Sequence, residues 1–191
     1  MKYSIIKEDL VYDDFFKIKK ATILHDTFNS DSQIEVIRQN FDRGSAIAIV
    51  LVEKDTDSIL LINQFRYPTA THVGYDGWLI EIVAGCMEEG EDPMECARRE
   101  VEEEIGYQVK KMELIGEYFS SPGGSSEKVN AFYAEVNSTD KKFEGGGLKS
   151  EQEDIQLIKL PISEIKQKLN ANFFKDAKTI IALQWLLLHK F

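Results

Sequence analysis

The sequence has few of the residues that mark a disulfide framework or a zinc site. Its 191 residues include two cysteines, Cys86 and Cys96, which do not form a CxxC pair. The three histidines, His25, His72 and His189, show no metal-ligand spacing relative to one another. Two cysteines outside such a spacing give neither a zinc signature nor a disulfide framework. We therefore expect reduced cysteines that pack in the core, and histidines with structural or surface roles.

Long apolar runs and an excess of basic residues are also missing. No run reaches the roughly 18 to 20 apolar residues that span a bilayer, and residues 1–14 lack the apolar segment of a signal peptide. The net charge of −10 argues against a nucleic-acid partner, which requires clustered Lys and Arg. An acidic enzyme can still bind an anionic substrate when bound metal ions reverse the local field. The expectation is a cytoplasmic protein without nucleic-acid or membrane partners.

The residues that are present suffice for one packed domain with an added N-terminal element. Hydrophobic residues make up 43% of the chain and aromatic residues 10%, which excludes a disordered chain. Residues 1–43 predict an antiparallel β element, with strands over 15–24 and 34–38 and a turn over 26–32. Because so small a ribbon can hardly form its own core, it must pack on the main domain, residues 44–191, or on a partner subunit.

The main domain alternates predicted strands and helices. Residues 45–53 are almost entirely apolar, which predicts a central strand covered on both faces. Residues 137–152 form a long polar loop, and loops of that length in a compact domain tend to be functional. The other predicted strands cover 59–66, 78–83, 109–119, 129–136 and 154–160, and the predicted helices cover 93–105, 163–169 and 176–189.

The most informative stretch is residues 85–107, which contains nine Asp and Glu residues. On a helix, Glu100 and Glu104 lie on one face and Glu103 lies beside them, so the carboxylates repel one another. A hard divalent cation, Mg²⁺ or Mn²⁺, would remove that penalty. Arg99, four residues before Glu103, can hold its carboxylate. The alternative is a solvated acidic face, but the full pattern has a chance probability of only about 10⁻⁶ in a chain of this size.

That pattern resembles the Nudix box, GX5EX7REUXEEXGU. The match covers all seven fixed positions, which are Gly85, Glu91, Arg99, Glu100, Glu103, Glu104 and Gly106. Val101 occupies the first aliphatic position, and the single departure is Tyr107, at a position expected to pack. The resemblance implies a Nudix hydrolase of the α+β class, an α/β/α sandwich with a mixed sheet. Such an enzyme uses Mg²⁺ to cleave a nucleoside diphosphate linked to another moiety.

The flanking segments resemble those of ADP-ribose pyrophosphatases and their nucleotide-sugar relatives. These segments are residues 64–66, 81–85, 121–127 and 147–155. Pro122 follows Gly106 by 16 residues, the spacing associated with ADP-ribose hydrolysis. The resemblance thus implies Mg²⁺-dependent cleavage of ADP-ribose to AMP and ribose 5-phosphate. GDP-mannose or another nucleotide sugar is the alternative substrate, and a nucleotide-sugar-sensing Nudix module is the non-enzyme alternative.

The resemblance also implies roles for individual residues. The expected ligands of Mg²⁺, or of Mn²⁺ as a substitute, are the Ala84 carbonyl and the carboxylates of Glu100, Glu103, Glu104 and Glu153. Catalysis is assigned to Glu151 as general base and to Glu103, which orients water or binds metal. A base on a mobile loop would enter the site only with substrate bound.

Three further residues are expected to bind the substrate. Arg66 is assigned to the diphosphate, through bidentate contacts, Glu127 to a substrate contact, and Arg43 to a weaker one. The resemblance further implies a homodimer, with the N-terminal β element at the subunit contact.

Overall fold

The computed structural model describes residues 1–28 and 32–191, and these form two compact units. The first unit contains Met1–Ser45 and Phe119–Lys128, and the second contains Ala46–Tyr118 and Val129–Phe191. The turn predicted over 26–32 includes residues 29–31, which lie outside the described residues.

The first unit contains a three-stranded antiparallel sheet in the order β1-β2-β3. Its strands are β1 (Tyr3–Asp13), β2 (Lys17–Asp26) and β3 (Gln33–Asp42). The sequence predicted only the last two. The pairing of β1 with β2 shifts register between Ile5 and Lys7 and again between Leu10 and Tyr12. Each shift interrupts the alternation of side chains, so β1 has no period-two pattern for a sequence reading to detect.

The second unit is built on a seven-stranded mixed sheet. The sheet order is β10-β5-β4-β9-β8, with β6 paired to β5 and β7 paired to β4. The central pair β4 and β9 is parallel, whereas β4 and β5 form an antiparallel hairpin. The strands are β4 (Ala46–Glu53), β5 (Ser58–Phe65), β6 (Trp78–Glu81), β7 (Val83–Cys86), β8 (Met112–Phe119), β9 (Lys128–Val136) and β10 (Ile155–Pro161).

Helices cover both faces of this sheet. They are α1 (Tyr67–Ala70), α2 (Pro93–Ile105), α3 (Ile165–Asn170) and α4 (Ala177–His189). Strand β4 is buried along its whole length. Ile47 and Ile49 belong to the core cluster that contains Val101 of α2, and Val50 belongs to the cluster that contains Leu183 of α4. The expected α/β/α sandwich with a central, doubly covered strand is therefore confirmed.

Some sequence expectations differ from the structure in detail. The single strand predicted over 78–83 is two short strands, because Glu81 still pairs with β5 whereas Val83 pairs with β4. Cys96 is buried as expected, but Cys86 is exposed and is not a packing residue. In the described part of the chain, no helix has the length and apolarity to cross a bilayer.

Candidate active site

Helix α2 begins and ends where its sequence predicts. Asp92 caps the N-terminus, with Oδ1 accepting from the backbone N–H groups of Met94 at 2.9 Å and Glu95 at 3.2 Å. Pro93 fits the first helical position, where no N–H partner is needed. Gly106 ends the helix in the left-handed conformation, with φ of 74°, which glycine adopts without a steric penalty.

The apolar face of α2 determines which carboxylates point inward. Ala97, Val101 and Ile105 are fully buried, as their spacing predicts, whereas Met94 at the first turn is exposed. Glu104 precedes Ile105 and follows Val101 by three residues, so it shares the edge of this face and is only 2% exposed. The buried helix face thus carries a carboxylate into the interior.

Arg99 holds three of the neighbouring carboxylates. Its Nη1 donates to Glu100 Oε1 at 2.9 Å and to Glu103 Oε2 at 3.0 Å, which confirms the expected contact with Glu103. Its Nε and Nη2 also donate to the two oxygens of Glu91, at 3.0 and 3.2 Å. One guanidinium therefore links the segment before α2 to the acidic face of the helix.

Burial is the main cause of the pKa shifts of Glu100 and Glu104. Burial raises the pKa of Glu100 to about 7, with Glu103 and Glu153 adding to the rise and Arg99 opposing it. Burial also raises the pKa of Glu104 well above its ordinary value, and Glu100 and Glu153 raise it further, whereas Arg66 lowers it. Glu153, just after the 137–152 loop, and Arg66, after β5, are therefore electrostatic neighbours of the helix carboxylates.

Gly85 allows β7 to approach α2 closely. A Cβ at this position would overlap the side chain of Glu100, so a larger residue would displace that carboxylate. Ala84, the expected carbonyl ligand, immediately precedes Gly85 and pairs with Ala48 of β4. Strand β7 therefore brings the Ala84–Gly85 peptide to the side chain of Glu100.

A glycine segment of the 137–152 loop attaches Glu153 to the end of α2. The N–H of Gly146 donates to Glu104 O at 2.8 Å, and the N–H of Gly147 donates to Glu103 O at 3.1 Å. These bonds satisfy carbonyls that the last helical turn leaves without intrahelical partners. A Cβ on Gly147, whose φ is +83°, would lie 2.6 Å from Glu153 Oε2. The glycine segment therefore keeps Glu153 beside the helix.

Glu151, at the end of the loop, and Glu153, just after it, differ in their surroundings. Glu153 Oε2 accepts from the backbone N–H of Leu148 at 3.0 Å, which fixes its carboxylate. Glu151, the expected general base, is exposed at the end of a 3₁₀ turn, Lys149–Glu151. The structure thus brings Glu153 to the cluster of Glu100, Glu103 and Glu104, and leaves Glu151 in solvent.

Arg66 has a partner that the sequence reading did not assign. Its Nε donates to Glu81 Oε2 at 2.7 Å, and Lys178 Nζ lies 3.5 Å from Glu81 Oε1. Glu81 is only 3% exposed. A lone carboxylate inside the apolar run WLIEIV was the available signal, since such a residue needs a charged partner when it is buried.

Arg43 and Glu127 both belong to the first unit, where they pair with each other. Arg43 Nε lies 3.2 Å from Glu127 Oε1, and Ser120 Oγ donates to Glu127 Oε2 at 2.5 Å. Their expected substrate contacts stay predictions.

The chemistry of the Glu100–Glu103–Glu104–Glu153 cluster fits a divalent cation. Within residues 1–28 and 32–191, Glu104 Oε2 is buried and has no hydrogen-bond partner, and a buried charge without a partner is strongly unfavourable. Carboxylate oxygens are the ligands that Mg²⁺ prefers. The same described residues contain no set of three His, Cys, Asp or Glu side chains already arranged as a metal site, and Arg99 engages Glu100 and Glu103.

Comparison with known proteins agrees with this geometry. The family profile described as the NUDIX domain matches residues 42–183. A GDP-mannose pyrophosphatase of Cronobacter sakazakii is 39% identical over 139 residues, covering 73% of this chain and 71% of the relative. A GDP-mannose pyrophosphatase of Salmonella paratyphi B is 33% identical over 183 residues, covering 96% of this chain and 94% of the relative.

A solved structure described as an ADP compounds hydrolase has the same fold. It superposes with a TM-score of 0.74 and 20% sequence identity, covering 100% of this chain and 97% of that chain. At this identity the likeness concerns the fold alone. The family assignment rests on the family profile and on the two pyrophosphatase relatives. The chain therefore belongs to the Nudix family and is a Nudix hydrolase.

Proposed function

We propose that this Nudix hydrolase cleaves the pyrophosphate bond of a nucleoside diphosphate sugar, with GDP-mannose as the first candidate substrate. The observation that carries the reaction type is the buried Glu104 carboxylate, whose Oε2 has no hydrogen-bond partner among the described residues, in a segment that matches all seven fixed positions of the Nudix box. The substrate class rests on the relatives, which are GDP-mannose pyrophosphatases at 33 to 39% identity.

In this proposal, Glu100, Glu103, Glu104, Glu153 and the Ala84 carbonyl would hold Mg²⁺, or Mn²⁺ in its place. When bound, it supplies Lewis-acid neutralisation of charge on the diphosphate oxygens. Arg66 binds the diphosphate through its guanidinium fork.

Water supplies the nucleophile. Its oxygen attacks one phosphorus as the bridging P–O bond breaks, and its proton passes to a carboxylate, either Glu151 or Glu103. The bridging oxygen leaves with the other phosphate. GDP-mannose would then give GMP and mannose 1-phosphate.

ADP-ribose is the second candidate substrate. Pro122 follows Gly106 by 16 residues, and this spacing is the feature that favours ADP-ribose. Its cleavage would give AMP and ribose 5-phosphate. Glu127 and Arg43 are proposed to contact the substrate in either case.

We also propose that residues 1–43 serve subunit association and that residues 44–191 form the catalytic domain. The exposed side chains of the first sheet include Tyr3, Ile5 and Ile34, with exposed fractions of 74, 53 and 45%. A homodimer would remove this apolar surface from water, which favours association. Size-exclusion chromatography with light scattering tests this, and a monomer at micromolar concentration would contradict it.

The substrate panel is the experiment that tests the proposed reaction. GDP-mannose, ADP-ribose, ADP-glucose, NADH and diadenosine polyphosphates are incubated with enzyme and Mg²⁺, and phosphate is measured after alkaline phosphatase treatment. The proposal predicts that phosphate release requires the enzyme and that GDP-mannose ranks first, followed by ADP-ribose. Absence of turnover on every nucleotide sugar would overturn it.

A further inference from the structure

Glu81 is a buried carboxylate that is attached directly to a predicted substrate-binding residue. It ends β6 and is 3% exposed. Its Oε2 accepts from Arg66 Nε at 2.7 Å, and its Oε1 lies 3.5 Å from Lys178 Nζ. Both oxygens therefore face a cation.

Stability alone does not account for a charge at this position. Burying an ion pair carries a desolvation penalty that can exceed the attraction between the charges, and an apolar residue of similar volume is often as stabilising. The Glu81 charge is better explained by its effect on the group that it contacts, the guanidinium of Arg66.

Arg66 is held so that the terminal nitrogens of its guanidinium stay available to bind a ligand. Within residues 1–28 and 32–191, Nε to Glu81 is the one hydrogen bond of its side chain, which is 37% exposed. Its backbone is also fixed, with its N–H donating to Gly77 O at 2.7 Å and its carbonyl accepting from Thr69 Oγ1 at 2.8 Å. The donors of both terminal nitrogens remain for a ligand, and a guanidinium fork matches a phosphate bidentately.

Glu81 is itself braced by the start of α4. Lys178 Nζ lies 2.6 Å from Asp176 Oδ1, and Asp176 Oδ2 caps the helix by accepting from the N–H of Thr179 at 2.8 Å. Thr179 Oγ1 accepts from the N–H of Ile82 at 2.9 Å, next to Glu81 in the chain. The carboxylate is thus held through its backbone and its side chain.

We propose that Glu81 is a positioning residue, which fixes the guanidinium of Arg66 so that its terminal nitrogens bind the diphosphate of the substrate. This inference rests on the proposed function. Glu81 acts through Arg66 and touches no reacting atom. Because the guanidinium is already ordered in the free protein, less conformational entropy is lost when the diphosphate binds.

A double-mutant cycle on ligand binding tests the inference. The probe is guanosine 5′-(α,β-methylene)diphosphate with Mg²⁺, which cannot be hydrolysed at the methylene bridge, and Kd is measured by calorimetry. Arg66→Ala should weaken binding about 30-fold, as expected for a charged hydrogen bond. Glu81→Gln should weaken binding about fivefold when Arg66 is present, and less than about twofold in the Arg66→Ala background.

Other roles for Glu81 predict different results in this double-mutant cycle. A merely structural role would make Glu81→Gln weaken binding equally in both backgrounds, and a simple charge repulsion would make it strengthen binding; either outcome overturns the inference. The matched control is Glu95→Gln, which removes an exposed partner of Arg98 and should leave Kd within about twofold.

Failure of the proposed function is recognised separately. The wild type is assayed in parallel for turnover of GDP-mannose and ADP-ribose, and absence of turnover would overturn the proposed function while the binding cycle still decides the role of Glu81. A wild type that binds neither the methylene probe nor its adenosine counterpart would overturn the inference, because the inference requires a diphosphate at Arg66.

Discussion

Two fully buried carboxylates of the second unit, Glu53 and Glu104, differ in how they are paired. Glu53 is 0% exposed and accepts from Tyr107 Oη and Lys159 Nζ, both at 2.5 Å, and from Thr56 Oγ1. Glu104 is 2% exposed, and its Oε2 has no hydrogen-bond partner in the described part of the chain.

The two pKa shifts follow from this difference. Burial pushes the pKa of Glu53 upward, but the hydrogen bonds from Lys159, Thr56 and Tyr107 bring it below its ordinary value. Burial raises the pKa of Glu104, and Arg66 offsets this only in part. A buried carboxylate that accepts hydrogen bonds from several donors stabilises the fold. A buried carboxylate that lacks such donors can bind a cation instead. At these two positions, pairing rather than burial accounts for the opposite pKa shifts.

The largest expected effect is on catalysis. Replacing both Glu103 and Glu104 with Gln should lower Mg²⁺-dependent kcat by about 10³-fold or more, because charge stabilisation of the transition state is lost. Steady-state kinetics on the substrate found in the panel measures this, with circular dichroism to show that the fold is intact. Full activity in this variant would refute the assignment of the site.

The matching change at the other carboxylate should affect stability instead. Glu53→Gln removes the buried charge that accepts hydrogen bonds from Lys159, Tyr107 and Thr56, which should lower the free energy of unfolding by about 3 kcal/mol. Urea denaturation measures the loss, and kcat should stay within about twofold of wild type. If Glu53→Gln abolished turnover and left stability unchanged, the two carboxylates would not differ in the way described.

The affinity for Mg²⁺ should depend on pH through Glu100. Its pKa of about 7 means that the carboxyl is mostly protonated below that value, and a cation must displace the proton. Affinity should therefore rise with pH, with Kd about tenfold weaker at about pH 6 than at about pH 8. Calorimetric titration at the two pH values measures this. Glu100→Gln, which cannot titrate, is the control and should reduce the dependence, leaving the part that comes from Glu104, whose pKa is also raised.

The smallest expected effect comes from the one departure from the Nudix box. Tyr107→Phe removes a single donor from Glu53, which should lower the free energy of unfolding by about 1 kcal/mol. Thermal denaturation measures the change. Since the other two donors remain, the loss should be well below that of Glu53→Gln, and an equal loss would mean that Tyr107 alone holds the carboxylate.

Local signals in the sequence accounted for much of the fold. Asp92 and Gly106 set the ends of α2, and the apolar run of β4 indicated a strand covered on both faces. Strand β1 was missed because two register shifts break its alternation. A helix or strand was predicted correctly where neighbouring residues carry an unbroken pattern, and β1 was missed because its pattern is interrupted.

The site was predictable only in part, because some of its contacts join residues that are far apart in the sequence. The carboxylates of α2 follow from helical spacing. Glu153 came from the resemblance, and the structure places it beside them, while its role as a metal ligand stays a prediction. The partners of Glu53 and Arg66, which are Lys159 and Glu81, lie on other strands, so no local spacing reveals them. Tyr107 was expected to pack; it is buried, and its hydroxyl also donates to Glu53.

The most direct test of the distinction between these carboxylates is the melting temperature of Glu104→Gln in EDTA at about pH 8. The raised pKa of Glu104 means that the metal-free fold opposes ionisation of this carboxyl, which lowers stability at any pH above the unfolded value of about 4.3. Glutamine does not ionise in either state and removes that cost, so Tm should equal or exceed that of the wild type. A fall as large as that of Glu53→Gln would show that Glu104 is a structural carboxylate and would contradict the account.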